Sequence, residues 1–244
     1  MKTKKQKVIA IPDLHLPWIN KRALRKIHTR IKTEQPDVVV QLGDLFDQYM
    51  FGRFDKNLNL IAPKKEIEKA REMAIEFWAT IRKNVKGVRC IQLLGNHDIR
   101  LLTQCSKKLP ESYHFLKDTH ADLYNFEGVE TYSSYRDYVE VDGIVYCHGW
   151  QQKHVNHFKK PVIRAHDHQV WLWLKGDQRN AFGAVLFKDV TTSILRDPNT
   201  LFEISCGMCG DESKVPFNYT ASAKTNWKVA ITIAFDNKVT VEVI

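Results

Sequence analysis

The sequence predicts an α/β fold with a two-layer sheet core and helices outside, and three observations lead there. Short apolar strands alternate with amphipathic helices through the N-terminal part of the chain. Each of those strands is followed by polar residues able to bind a metal. The second half then changes to closely spaced strands divided by turns, which fits a second sheet rather than a separable domain.

Residues 8–11 form the first strand, ended by Pro12-Asp13. Asn20 is a helix N-cap; Ala23, Leu24, Ile27 and Ile31 recur at helical spacing until Pro36. Residues 37–42 are the second strand, followed at once by Gly43-Asp44. Over 64–83, Ile67, Ala70, Met73, Ala74, Phe77, Trp78 and Ile81 make one helical stripe, and Gly87 follows its end. Residues 88–94 are the third strand, ahead of Gly95-Asn96-His97-Asp98. Helical insertions are expected near the site at 49–83 and 99–126. Strands at 138–141 and 144–147 flank a turn at Asp142-Gly143. Further strands are expected at 162–165, 184–187, 201–205, 228–235 and 239–243.

Length and composition narrow the class. The chain has 244 residues, 43% of them hydrophobic, so one large domain over 1–244 with a real core is expected. Its apolar runs are too short to span a bilayer, and its basic N-terminus lacks a signal-peptide apolar stretch, so a cytoplasmic protein is expected. Five cysteines, an odd number, argue against a disulfide framework. The spacing of Cys206 and Cys209 is C-x-x-C but occurs once, which points to a structural, reduced pair. The net charge of +9 suits phosphate-bearing partners, without separating a nucleotide from a polynucleotide.

Five motifs sit where strands end: Asp13-Leu-His15, Gly43-Asp44-Leu-Phe-Asp47, Gly95-Asn96-His97-Asp98, His148-Gly149 and Ala165-His166-Asp-His168. Together they offer carboxylate oxygens, an amide oxygen and imidazole nitrogens. That donor mix suits Mn, Fe, Zn, Ni or Co, with Mg also open, and disfavours calcium.

In this order the motifs resemble those of the calcineurin-like metallophosphoesterases: D-x-H, G-D-x-x-D, G-N-H-[DE], H, and G-H-x-H. The match runs from Asp13 to His168. The resemblance implies a four-layer αββα sandwich and two divalent ions, Mn²⁺ foremost. It implies Asp13, His15, Asp44 and His168 on the first ion, and Asp44, Asn96, His148 and His166 on the second. Asp44 and a water or hydroxide would bridge the pair, and the hydroxide would attack a phosphate ester. His97 would donate a proton to the leaving group, oriented by Asp98, while Asp47 would hold a ligand loop in place. Ala165 departs from the family glycine, and Asp167 is expected to face solvent rather than hydrogen-bond a ligand histidine. Gln48 after Asp47, and Asp98 in place of Glu, argue against the protein Ser/Thr phosphatase branch.

The expected substrate is a small phosphorylated metabolite, foremost a (deoxy)nucleoside 5′-monophosphate. A DNA or RNA phosphodiesterase is the alternative, and a non-catalytic scaffold a third reading that the full set of motif residues disfavours. Trp18, Tyr49, Phe51 and Trp150 could stack on a base or pack the core, and Arg100 and Lys153 could contact phosphate.

Overall fold

The computed structural model describes residues 4–53, 55–149, 154–174, 185–186, 191–195, 200–214, 216–217 and 228–244. Among these, β1 (Val8–Ile11), β2 (Val38–Gln41), β3 (Arg89–Gln92) and β4 (Val129–Thr131) run parallel in one sheet. Antiparallel strands β12 (Ala230–Phe235), β13 (Lys238–Val243) and β10 (Thr192–Leu195) extend it beyond β1. The second sheet has the order β5 (Tyr138–Val141), β6 (Ile144–Cys147), β7 (Val162–Arg164), β11 (Phe202–Cys206), β8 (Val170–Leu174) and β9 (Val185–Leu186). In it β6, β7 and β11 are parallel.

Strand alternation assigns each apolar residue to a seam. Val8, Ala10, Val38, Val40 and Ile91 face the second sheet, meeting Val141, Tyr146, Ile163 and Ile204. Ile9, Ile11, Val39 and Cys90 face the other way, onto Ile27 and Ile31 of α1 (Lys21–Glu34) and onto Ala74, Phe77, Trp78 and Ile81 of α2 (Pro63–Asn84). Each large side chain fully buried there contributes roughly 1.5–3 kcal/mol. On the outer face of the second sheet, Val155 of α5 (His154–Phe158) packs on Val145, Cys147 and Val162. Among the described residues the layers are therefore helix, sheet, sheet and one short helix.

The expected caps and turns form. Asn20 Oδ1 accepts from the amides of Arg22 and Ala23, and α1 closes on Gln35 in the left-handed region, one residue before Pro36. Asp142 and Gly143, at φ 48° and 74°, turn β5 into β6. The expected helix at 64–83 is the β2–β3 crossover itself, so the additional segment there is the loop of residues 49–62. Residues 99–126 contain α3 (Arg100–Lys108) and α4 (Tyr113–Leu123). Beyond the elements expected from the sequence, the chain forms β4, β8, β10 and α5. Of the strand expected at 184–187, Ala184 and Phe187 lie outside the described residues, as do Trp150 and Lys153. All five cysteines are free and buried. Among the described residues no helix is long and apolar enough to cross a membrane.

Candidate metal centre

Each candidate ligand leaves the carboxyl end of a parallel strand, the usual place for a site in such sheets. Asp13 and His15 follow β1, Asp44 follows β2, Asn96 and His97 follow β3, His148 follows β6, and His166 and His168 follow β7. The loops are tightly wound: His15, Asp44, His166 and His168 hold φ of 49°, 51°, 75° and 58°. Glycine lets two of them interlock. A Cβ on Gly43 (φ 103°) would stand 2.7 Å from His148 Nδ1 and 2.8 Å from the Gly95 amide, and one on Gly95 would strike the Asp44 carboxylate. Ala165 needs no glycine, since its φ is not positive.

Two donor sets result. In the first, one ligand atom each of Asp13, His15, Asp44 and His168 lies within 4.8 Å of all the others, with His15 Nε2 3.3 Å from His168 Nε2. In the second, Asn96 Oδ1 lies 2.7 Å from His166 Nδ1 and 3.0 Å from His148 Nε2, and these two nitrogens are 3.1 Å apart. Asp44 Oδ1 is 3.5 Å from His148 Nε2, so Asp44 stands between the sets. Two nitrogens bound to one ion at about 2.1 Å lie roughly 3.0–3.4 Å apart, close to the nitrogen pairs here. Outer partners fix the rings: His15 Nδ1 donates to Asp47 Oδ1 (3.0 Å) and His148 Nδ1 to the Leu42 carbonyl (3.1 Å), which turns Nε2 of each inward.

The residues fit a cation on independent grounds. Asp13 Oδ1 and Asp44 Oδ2 are buried without a hydrogen-bond partner, an unusual state for a carboxylate. Burial pushes the Asp44 carboxyl up to about 7. Burial and then the Asp44 charge raise Asp13 well above the usual range. Divalent cations would offset both effects. Acids whose folded pKa is raised stabilise the fold below the unfolded value near 4 and lose that contribution as pH climbs towards 7. Metal-free protein in chelator at about pH 8 keeps both carboxylates buried and unpaired, so Mn²⁺ added there will raise the melting temperature by several degrees, at roughly 2–4 °C per kcal/mol for this chain length. Scanning fluorimetry checks this, and a melting temperature that does not respond to Mn²⁺ would contradict the cation site.

His97 belongs to neither set; with Asp47 it closes on His15 in a third group of potential ligand atoms, its ring 4.5 Å from that of His15. Its orienting partner is Asp47: Nδ1 donates to Asp47 Oδ1 at 2.8 Å. This corrects the expectation for Asp98, whose carboxylate turns back into the loops and accepts the amides of Leu45, Phe46 and Gly95. Asp98 thereby ties the Asp44 loop to the Asn96 loop. Asp47 serves a ligand histidine and His97 with one oxygen, and these contacts hold its carboxyl well below the usual range despite burial. On the other side, Arg100 Nη2 donates to His97 Nε2 at 2.6 Å. Burial first, then the Arg100 charge, lower the His97 pKa to about 3, so the ring is neutral.

Behind the second sheet's loops lies an ionic network that the motifs did not disclose. Arg164, ending β7, donates from Nε to Glu203 Oε1 (2.7 Å) and from Nη2 to Asp167 Oδ2 (2.6 Å), and its guanidinium lies over the Trp171 ring. Asp167 lies at the surface, but its carboxylate is held by Arg164 and Trp171 instead of facing solvent alone. Arg164 thus clamps the loop that carries His166 and His168. Among the other histidines, His120 contacts the Asp98 carbonyl, His154 contacts Glu203, and His28 is half-buried against Phe77. His114 and His157 are exposed. Tyr49 is buried beneath Lys56, and Trp18 donates to Glu66, so both have packing roles. A cavity of about 670 Å³ between α3, α4 and β4 touches none of the seven candidate ligands.

Two packed sheets with nitrogen and oxygen donors at the shared ends of their parallel strands define a metallohydrolase scaffold. The family model of calcineurin-like phosphoesterases matches residues 6–217. The chain therefore belongs to that family, whose members are hydrolases acting on phosphoester bonds. A metallophosphoesterase from Sphaerobacter thermophilus shares the fold, with a TM-score of 0.53 and 14% identity, over 98% of this chain and 88% of that one. Vacuolar Protein Sorting 29 from Cryptosporidium parvum aligns with a TM-score of 0.43 and 13% identity, over 99% and 91% of the two chains. A Pseudomonas putida nuclease, MPE, gives 0.35 and 11%, over 96% and 85%. No curated protein sequence matches the chain significantly.

Proposed function

We propose that this protein is a binuclear-metal phosphohydrolase acting on (deoxy)nucleoside 5′-monophosphates. The observation that carries the reading is the pair of donor sets around Asp44, with His97 beside them and in neither. Asp13, His15, Asp44 and His168 would hold one ion, and Asp44, Asn96, His148 and His166 the other. Two divalent ions, Mn²⁺ foremost, would neutralise phosphate charge and lower the pKa of water.

The chain's own residues supply the rest. Asp47 keeps the His97 proton on Nδ1 and presents Nε2 towards the substrate side. Water adds to phosphorus and gives up a proton to solvent as the P–O ester bond breaks. His97 takes up a proton from solvent at Nε2, its imidazolium charge offset by Asp47, and hands that proton to the departing oxygen, returning to the neutral ring. Five reduced cysteines support a cytoplasmic setting, and the continuous core supports one domain over 1–244.

The +9 charge supports a second reading, a DNA or RNA phosphodiesterase. A screen of the Mn²⁺-loaded protein against nucleoside monophosphates, bis(4-nitrophenyl) phosphate and a short oligonucleotide separates the two. Turnover of mononucleotides with an intact oligonucleotide is the expected result. Degradation of the oligonucleotide alone would replace the first reading by the second.

A further inference from the structure

We infer that Lys56 and Arg100 form an anion subsite beside the metal centre, which selects esters ending in a dianionic phosphate over phosphodiesters. The inference rests on the phosphohydrolase reading and specifies the substrate class of that site.

Lys56 lies in the loop of residues 49–62, outside every motif. It is half-buried, and its Nζ stands 4.7 Å from the Tyr49 ring centroid. The Tyr49 hydroxyl, which accepts the Asn57 amide at 2.8 Å, fastens the loop. Arg100 opens α3, three residues after His97. Its Nη1 donates to the Asp47 carbonyl at 2.9 Å and lies 3.8 Å from Asp47 Oδ1. The two cations converge on one point: a Cβ on Gly52 would lie 3.0 Å from Lys56 Nζ and 3.3 Å from Arg100 Nη1.

Like charges held this close repel. The acids around them are already engaged. Glu66 accepts the amides of Tyr49 and Met50 and the Trp18 indole, and Asp47 accepts His15 and His97. Among the described residues Lys56 makes no salt bridge. Burial and the neighbouring Arg100 charge lower its hold on its proton. Two convergent cations opposed by one carboxylate, Asp47, which already accepts His15 and His97, leave positive charge uncompensated and suit the oxygens of an anion.

The subsite's charge sets its preference. A phosphomonoester carries about −1.5 to −2 near pH 7, a diester only about −1, so the added cations favour the monoester. Arg100 also links binding to proton transfer. Its Nη2 now blocks His97 Nε2, and a phosphate drawing the guanidinium away would free that nitrogen to face the leaving oxygen.

The test compares the Mn²⁺-loaded protein with Lys56→Met and Lys56→Arg. It measures kcat/KM for 4-nitrophenyl phosphate and for bis(4-nitrophenyl) phosphate, and the affinity for inorganic phosphate by calorimetry. Lys56→Met is expected to lower monoester kcat/KM and phosphate affinity by roughly 10–100-fold, the worth of one charge-assisted hydrogen bond, with the diester changed by less than about twofold. Lys56→Arg should recover most of the loss. Equal losses on both esters, or unchanged phosphate affinity, would overturn the subsite. If the parent protein cleaves neither ester, the phosphohydrolase reading fails, and phosphate affinity alone still decides the subsite. A Lys56→Gln variant with the parent's melting temperature replaces Lys56→Met should the latter misfold.

Discussion

An Asp44→Asn variant will fold and will lose at least about 10³-fold of its phosphatase activity, the several kcal/mol of charge stabilisation that a pair of cations supplies. Asp44 lies in the first donor set and 3.5 Å from His148 of the second, so one substitution weakens both. Asparagine retains an oxygen that can accept the His97 amide, which Asp44 Oδ1 now accepts at 2.7 Å. The substitution also removes a carboxyl whose ionisation burial opposes. The metal-free variant should therefore melt within a few degrees of the parent. Calorimetric titration with Mn²⁺ will show weakened binding at both sites. A folded Asp44→Asn protein with full activity would refute the assignment of this carboxylate.

The second large effect is kinetic. His97→Ala should lower kcat by roughly 10²–10⁴-fold, the range for a lost general acid. The loss should depend on the leaving group. A nucleoside alkoxide needs a proton as it departs, whereas 4-nitrophenolate is stable without one, so the nucleotide should suffer far more. Because His97 belongs to neither donor set, Mn²⁺ affinity should stay close to that of the parent. A ring that served only to pack against His15 would slow both substrates alike, and that outcome would remove His97 from the chemistry.

Local rules carried much of the first sheet. The apolar run Val8–Ile11, the stripe through Phe77, Trp78 and Ile81, and the Asn20 cap are patterns within one element, and each appears in the structure. The motifs also placed seven side chains at strand ends that the fold brings together. What stayed hidden is pairing at long range. Val170–Leu174 follows His168 almost at once and becomes a strand only because β11 lies antiparallel beside it, Ile204 opposite Leu172. The bond from Arg164 to Glu203 joins residues 39 apart in the chain. The exchange of roles between Asp47 and Asp98 has a similar origin. Asp98 adjoins His97 in sequence, but consecutive side chains diverge, and the fold delivers Asp47 to the ring from another loop.

The positive-φ conformations of His15, Asp44, His166 and His168 have an energetic corollary. Left-handed L-residues sit roughly 1–2 kcal/mol above their relaxed state apiece, and the packed seams on either side of β1 and β2 must supply the difference. The work of shaping the cradle is thus done during folding, before any ion arrives, which favours tight capture. It also makes the cradle hostage to distant packing: a lesion in the layer around Trp78, far from any donor atom, should emerge as leakier ion retention before it emerges as an unfolded protein.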